Sequence, residues 1–154
     1  MTYENLLAEA EKENVYVIEN AKFQSKADGL INNDVIGINR AVRSNAKRTC
    51  ILAEELGHYH TTSGDILDQS SVCNRKQEHR ARLWAYNKLI GLQGIIKAYN
   101  AGCQNYHETA EYLDVTEEFL KEAITCYKNQ YGSFAKVDNF MVVFEPSIAV
   151  IEFV

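Results

Sequence analysis

The 154-residue sequence lacks the patterns that place a protein in a membrane, a secretory pathway or a disulfide-stabilised class. No apolar run approaches the roughly 20 residues that span a bilayer. The first residues, MTYENLLAEAEKEN, lack the basic and apolar regions of a secretory signal. The four cysteines are widely spaced without a Cys-x-x-Cys pair, which indicates neither a zinc ribbon nor a redox motif. We therefore expect a cytoplasmic protein, without a membrane partner, whose thiols are free.

Basic charge is also scarce in this chain. The formal net charge is -5 at pH 7 and the pI is near 5.4, so we expect no broad surface for nucleic-acid phosphates and no direct nucleic-acid partner. One local basic cluster is present, formed by Arg40, Arg43, Lys47 and Arg48. We expect this cluster to lie at the solvated start of a helix.

The remaining patterns are those of an α+β fold. They predict helices over residues 2–14, 45–59, 74–90, 92–101, 106–113 and 116–131. A strand is predicted at 15–19, a hairpin at 29–39, and strands in the tail after Gly132, where the sole proline, Pro146, marks a break. We find no repeat, low-complexity tract or linker. The sequence therefore predicts one domain over residues 1–154, with central helices and a small antiparallel sheet on the N-terminal side.

The stretch AEELGHYH, Ala53 to His60, differs by one residue from the zinc-binding helix motif His-Glu-x-x-His, because Glu54 replaces the first histidine. Glu54 and His58 are four residues apart, so both project from one face of a helix and can reach one ion. Glu55 would lie beside that ion and could hold a water. Two carboxylates in an apolar helix without a nearby Lys or Arg need a partner, and a metal ion would satisfy them.

A third protein ligand is usual at a catalytic zinc site, and Glu78 is the best candidate. It is in register with Ala81, Ala85 and Leu89, so it belongs to the stripe that packs inward. The alternative for Glu78 is an exposed pair with Arg82, four residues on.

Simpler interpretations also fit these residues. Glu54, Glu55 and His58 could belong to a structural helix whose end is polar and solvated. His60 and Asp65 are further possible ligands or substrate contacts, although such residues are more often polar groups at a helix end. The other two histidines, His79 and His107, stand among charged residues, and we assign neither a function.

The segment LAEELGHYH, followed by QEHRARLWAYNKLI, resembles the ImmA/IrrE family of metallopeptidases. The family pattern is His-Glu-x-x-His and then a helix with Glu-x-x-Ala-x-x-x-Ala, which Glu78, Ala81 and Ala85 fill here. The resemblance extends to the hairpin before the central helix, with INR after GLINNDVIG, and to TAEYLDVTEEFLKEAI in the second half. It covers most of the chain.

This resemblance implies a zincin-like domain acting as a zinc-dependent endopeptidase that is found with phages and mobile elements. Its protein substrate would be a repressor of the helix-turn-helix class, whose cleavage releases the repressed genes. Carried over by position, His58 and Glu78 are ligands, Glu55 is the general base, and Glu54 takes the place of the first ligand histidine. Short phage-type members share this Glu-Glu-x-Gly-His form. A ligand set of two carboxylates and one imidazole could also admit Mn or Fe.

Three residues are candidates for stabilising the oxyanion that forms when the peptide carbonyl is attacked, and the sequence does not choose among them. They are Tyr59, His60 and Tyr86. Two alternatives to the peptidase also remain. A non-catalytic member could bind a repressor or another partner, with the helix 116–131 offering an apolar face. DNA binding through AEYLDVTEEFL, which has helix-turn-helix spacing, is opposed by acidic residues that phosphates repel, Glu117, Glu118 and Glu122.

Overall fold

A computed structural model describes residues 1–62 and 71–154, apart from the side chains of residues 71–73. The described residues form six helices and six strands, so the α+β class is confirmed. They fall into two compact units, Met1–Ala85 and Tyr86–Val154. Within the described residues, no helix is both long enough and apolar enough to cross a membrane. The prediction of one domain over residues 1–154 is not tested by these features and stays a prediction.

The first unit opens with α1 (Tyr3–Lys12), which begins where the Thr2 hydroxyl accepts a hydrogen bond from the Asn5 amide. Such a cap satisfies an amide that the first helical turn leaves without a carbonyl partner. Leu6 and Ala10 are buried on one face, as their spacing predicts.

The sheet of the first unit has the strand order β1-β3-β2, from β1 (Tyr16–Ala21), β2 (Gly29–Asn32) and β3 (Val35–Asn39). The hairpin β2-β3 is antiparallel as predicted, with Asn33 at a φ of 55° in its turn. Strand β1 instead pairs parallel to β3, which makes the sheet mixed rather than wholly antiparallel. The alternation of apolar residues predicts which side chains face inward, but it does not predict which strand pairs with which or in what direction. The prediction of an antiparallel sheet was wrong for β1 for this reason.

Two long helices complete the first unit. Helix α2 (Asn45–Thr61) begins at the predicted residue, where the Ser44 hydroxyl accepts a hydrogen bond from the Lys47 amide, and it ends two residues later than predicted. Its buried residues lie on most sides, as expected for a helix that crosses a core, and they are Thr49, Cys50, Ile51, Leu52, Ala53, Leu56 and Gly57. Helix α3 (Ser71–Leu89) begins three residues earlier than predicted and continues into the second unit.

The second unit contains three helices and a meander of three strands. The helices are α4 (Gly91–Asn100), α5 (Tyr106–Leu113) and α6 (Glu117–Tyr131), and the antiparallel strands are β4 (Phe134–Val137), β5 (Phe140–Val143) and β6 (Ala149–Glu152). Helix α6 buries the apolar face that the sequence offered as a partner surface, Phe119, Leu120, Ala123, Ile124 and Tyr127. That face is therefore core, and it is not available for docking.

Candidate metal centre

Helix α2 carries three of the four predicted site residues on its C-terminal half. Glu54, Glu55 and His58 are all partly buried, whereas the neighbouring residues Ala53 and Leu56 are buried in the core. The helix therefore holds its polar groups at the boundary between core and solvent. Glu54 and His58 are one turn apart, as the motif requires.

A close approach of α2 and α3 brings the fourth residue to this group. A Cβ atom built on Gly57 would clash with the backbone carbonyl oxygen of Ala81. Only glycine permits this separation, because the helix backbones meet with no side chain between them. Gly57 precedes His58, and Ala81 lies one turn after Glu78, so the contact places these two ligand candidates side by side.

His58 and Glu78 do meet in the structure. The imidazole Nε2 lies 3.3 Å from Glu78 Oε1, and the two side chains are 22% and 52% exposed. Glu78 is thus exposed rather than packed inward as predicted, whereas Ala81, Ala85 and Leu89 of the same stripe are buried. Two atoms that bind one tetrahedral zinc at about 2.0–2.1 Å are about 3.3 Å apart. The separation of His58 and Glu78 therefore suits ligands of one ion.

The carboxyl group of Glu55 has a raised pKa. Burial, and after it the negative charges of Glu54 and Glu78, together raise its pKa from 4.5 to about 7. Strand β2 passes beside it, since a Cβ built on Gly29 would come 3.1 Å from Glu55 Oε1. A poorly solvated carboxylate with a pKa close to neutral has the properties of a general base.

The chemistry of the donors fits a divalent cation. Three carboxylates and one imidazole occupy one region, and the carboxylates raise the pKa of Glu55 by mutual repulsion, which a cation would relieve. Among residues 1–62 and 71–154, no three or more His, Cys, Asp or Glu side chains are already arranged as a metal cluster. The set Glu54, His58 and Glu78 therefore stays a prediction, of which His58 and Glu78 are seen at ligand separation.

The three candidates for stabilising the oxyanion, Tyr59, His60 and Tyr86, contact other residues in the structure. His60 Nε2 lies 2.7 Å from Glu13 Oε2, and its ring stacks on Trp84 with centroids 4.8 Å apart. The Tyr86 hydroxyl donates to Glu122 Oε2 at 3.4 Å within the second unit. Tyr59 contacts the ring of His60 edge-on. These contacts give His60 a packing role at the end of α2.

The last of the predicted accessory groups, Asp65, lies outside the described residues. Of the two histidines without an assigned role, His79 is exposed and His107 pairs with Glu117 at 2.8 Å. The glycines Gly29 and Gly57 position the site, and sequence reasoning missed that role. For Gly57 a signal was present, because a glycine in one helix motif and an alanine in the next are the pair that lets two helices approach closely.

A helix bearing a glutamate pair and a histidine, packed through glycine against a second helix that supplies glutamate, is the arrangement that the sequence predicts for a metallopeptidase. The family model of the IrrE N-terminal-like domain matches residues 8–125, and the chain belongs to this peptidase family. The resemblance to ImmA/IrrE proteins is thereby confirmed, and metallopeptidase-type function follows from it. Neither the curated proteins nor the solved structures give a match to this chain.

Proposed function

We propose that the protein is a metallo-endopeptidase that uses zinc and cleaves a repressor of the helix-turn-helix class in the cytoplasm, releasing phage or mobile-element genes. The observation that carries the proposal is the approach of His58 to Glu78 at 3.3 Å, beside the desolvated carboxyl group of Glu55. Membership of a peptidase family supports the reaction class. The repressor substrate rests on the family resemblance.

Glu54, His58 and Glu78 would hold the metal, and manganese or iron would also suit so oxygen-rich a set. When bound, the metal supplies Lewis acidity to a peptide carbonyl and to water. Glu55 orients a water by hydrogen bonding and accepts its proton during attack on the peptide carbonyl. The same carboxyl group then donates that proton to the departing amine, so that the carboxylate is restored at the end of each cycle.

The assignment of Glu55 is tested by Glu55→Gln. The amide preserves size and hydrogen bonding but cannot accept a proton, so we expect cleavage of a co-encoded repressor to fall by at least about a hundredfold. Metal content should be unchanged, because Glu55 is not among the predicted ligands. Cleavage is followed by the intact mass of the repressor on incubation with stoichiometric protein. His79→Gln, an exposed change on α3, serves as the control.

Non-catalytic binding of a repressor is the second candidate, and the glutamate at the first ligand position favours it. In that case the repressor would co-purify at full length with both the natural protein and Glu55→Gln. Full cleavage by Glu55→Gln would contradict the role of general base, whereas no cleavage by either protein, with a stable complex, would favour the binding function.

A further inference from the structure

Positive charge is concentrated in one segment of this acidic protein. Residues 20–48 contain six Lys and Arg and only two Asp, whereas the rest of the chain contains ten Lys and Arg against nineteen Asp and Glu. The segment runs from the end of β1, through the hairpin, to the first turn of α2. It includes the basic cluster of Arg40, Arg43, Lys47 and Arg48. None of these four residues belongs to the predicted metal centre.

Part of this segment lines an open cavity of about 580 Å³, which we call the basic cavity. The described residues that line it are Lys22, Phe23, Asn39, Arg40, Ala41 and Arg43. Three of the six carry a positive charge and none carries a negative one. A ligand there would meet two guanidinium groups and one ammonium group, together with the ring of Phe23.

The walls of the basic cavity are held by backbone and amide hydrogen bonds. The Asn39 side chain donates to the carbonyl oxygen of Ala27 at 2.9 Å and accepts from the Ala41 amide at 3.0 Å. The Arg40 amide donates to the carbonyl oxygen of Ala21 at 2.9 Å. The turn that carries the arginines is thus fixed to the end of β1, which lowers the entropic cost of ordering them around a ligand.

Over residues 1–62 and 71–154, the cations of the basic cavity lack the ion-pair and backbone partners that the other two residues of the basic cluster have. Lys47 pairs with Asp28 at 3.5 Å, and Arg48 donates to the backbone carbonyl of Glu19 at 2.8 Å. Within the part of the chain that the structure describes, Lys22, Arg40 and Arg43 make no ion pair. Their charges are therefore available to an anion from outside.

We propose that the basic cavity binds an acidic segment, a run of Asp or Glu, in the protein substrate. Guanidinium groups match carboxylates with paired hydrogen bonds, and the ring of Phe23 offers an apolar surface to the aliphatic part of a glutamate. This inference rests on the proposed peptidase function, since it names a feature of that enzyme's substrate.

A short peptide suits this location better than nucleic acid does. Arg43 directly precedes the start of α2, and Glu54 lies nine residues into that helix, a rise of about 14 Å. Four or five residues of extended peptide span this distance. A long polyanion would meet the excess of negative charge on the rest of the chain, whereas a short acidic segment needs only the local cations.

The test is the fluorescence anisotropy of a fluorescein-labelled peptide with six consecutive glutamates between Gly-Ser ends, added to the full chain in low salt. We expect saturable binding below about 1 mM that weakens as salt is raised, and no binding of the same peptide with six glutamines. Arg40→Gln with Arg43→Gln should weaken binding about tenfold, because two exposed ion pairs are lost. The control pair Lys12→Gln with Lys97→Gln removes two exposed charges elsewhere and should change affinity less than twofold.

Three results would overturn the proposal. They are the absence of saturation by the glutamate peptide, equal binding of the glutamine peptide, and equal losses in the two double variants. Labelled heptathymidylate, which carries six phosphates, is measured in parallel. If it binds more tightly than the glutamate peptide and depends on Arg40 and Arg43, the cavity recognises phosphate instead. Because binding is measured on chelator-treated protein, a failed peptidase assay and a failed peptide assay are separate results.

Discussion

At the scale of single residues, Glu55 shows how the site differs from an ordinary helix surface. It is one of two adjacent glutamates, yet burial and the charges of Glu54 and Glu78 raise its pKa to about 7. A solvated glutamate on an ordinary helix surface would have no such shift in its pKa. The metal-free protein is therefore destabilised by the ionised form of a group that its proposed reaction needs.

This leads to a prediction for stability against pH. The pKa of Glu55 is raised from 4.5 in the unfolded chain to about 7 in the fold, so the unfolded chain loses its proton first as pH rises. The Glu55 contribution to the free energy of unfolding therefore falls between about pH 4.5 and 7, by up to about 3 kcal/mol. Chelator-treated Glu55→Gln should be more stable than the natural protein at pH 8, and the difference should vanish below about pH 4.5. Urea unfolding at several pH values measures it, and a difference independent of pH would contradict the pKa shift.

At the scale of elements, the crossing of α2 and α3 determines whether the site exists. The two helices approach closely where Gly57 faces Ala81, and His58 and Glu78 meet beside this contact. The approach of His58 to Glu78 thus depends on a glycine at position 57, since any side chain there would separate the two helices.

Gly57→Ala should consequently damage both fold and site. Its Cβ must displace the Ala81 carbonyl, which is backbone and cannot rotate away, so we expect a loss of about 1–3 kcal/mol in the free energy of unfolding and weaker zinc binding. The control is Gly94→Ala in α4, where the new Cβ would meet Leu113 Cδ2 at an ordinary 3.4 Å. That change should be neutral or stabilising, since alanine favours a helix. Circular dichroism on heating compares the two, and equal stability would exclude a tight crossing.

Elements were the most predictable part of this chain. Apolar spacing located all six helices of the described residues to within a few residues. Helix starts are set locally, as the hydroxyl caps Ser44 and Thr116 of α2 and α6 show. The parallel pairing of β1 and the close crossing at Gly57 depend on contacts between distant segments, which spacing does not encode. The ligand candidates were found through the motif, whereas the basic cavity required knowing that Lys22 and Phe23 lie beside Arg40.

At the scale of the whole molecule, metal should stabilise the unit that holds the site. A ligand that binds the folded state at a hundred times its Kd adds about 2.7 kcal/mol, which corresponds to roughly 5–10 °C for a chain of this size. The only tryptophan, Trp84, stacks on His60 in the first unit, so its fluorescence reports unfolding there. We expect zinc to raise that transition in the natural protein and not in His58→Ala. An equal rise in both would assign the effect to zinc bound elsewhere.

The distribution of charge at this scale is consistent with a protein partner. The chain is acidic overall, and three of the cations that make no ion pair among the described residues, Lys22, Arg40 and Arg43, line the basic cavity on the same unit as the predicted metal centre. Association with an acidic substrate would then depend on salt, whereas metal binding by directly coordinating side chains would depend on it much less.

The most direct test of the metal centre is the metal content of protein purified without chelator or histidine tag, measured by plasma mass spectrometry. The natural protein is compared with Glu54→Ala, His58→Ala and Glu78→Ala, and with His79→Ala as a matched change on α3. We predict about one equivalent of zinc, manganese or iron in the natural protein and in His79→Ala, and loss of that metal in the other three. A natural protein that holds no metal and takes up none on dialysis against zinc would contradict the metal centre and the peptidase mechanism with it.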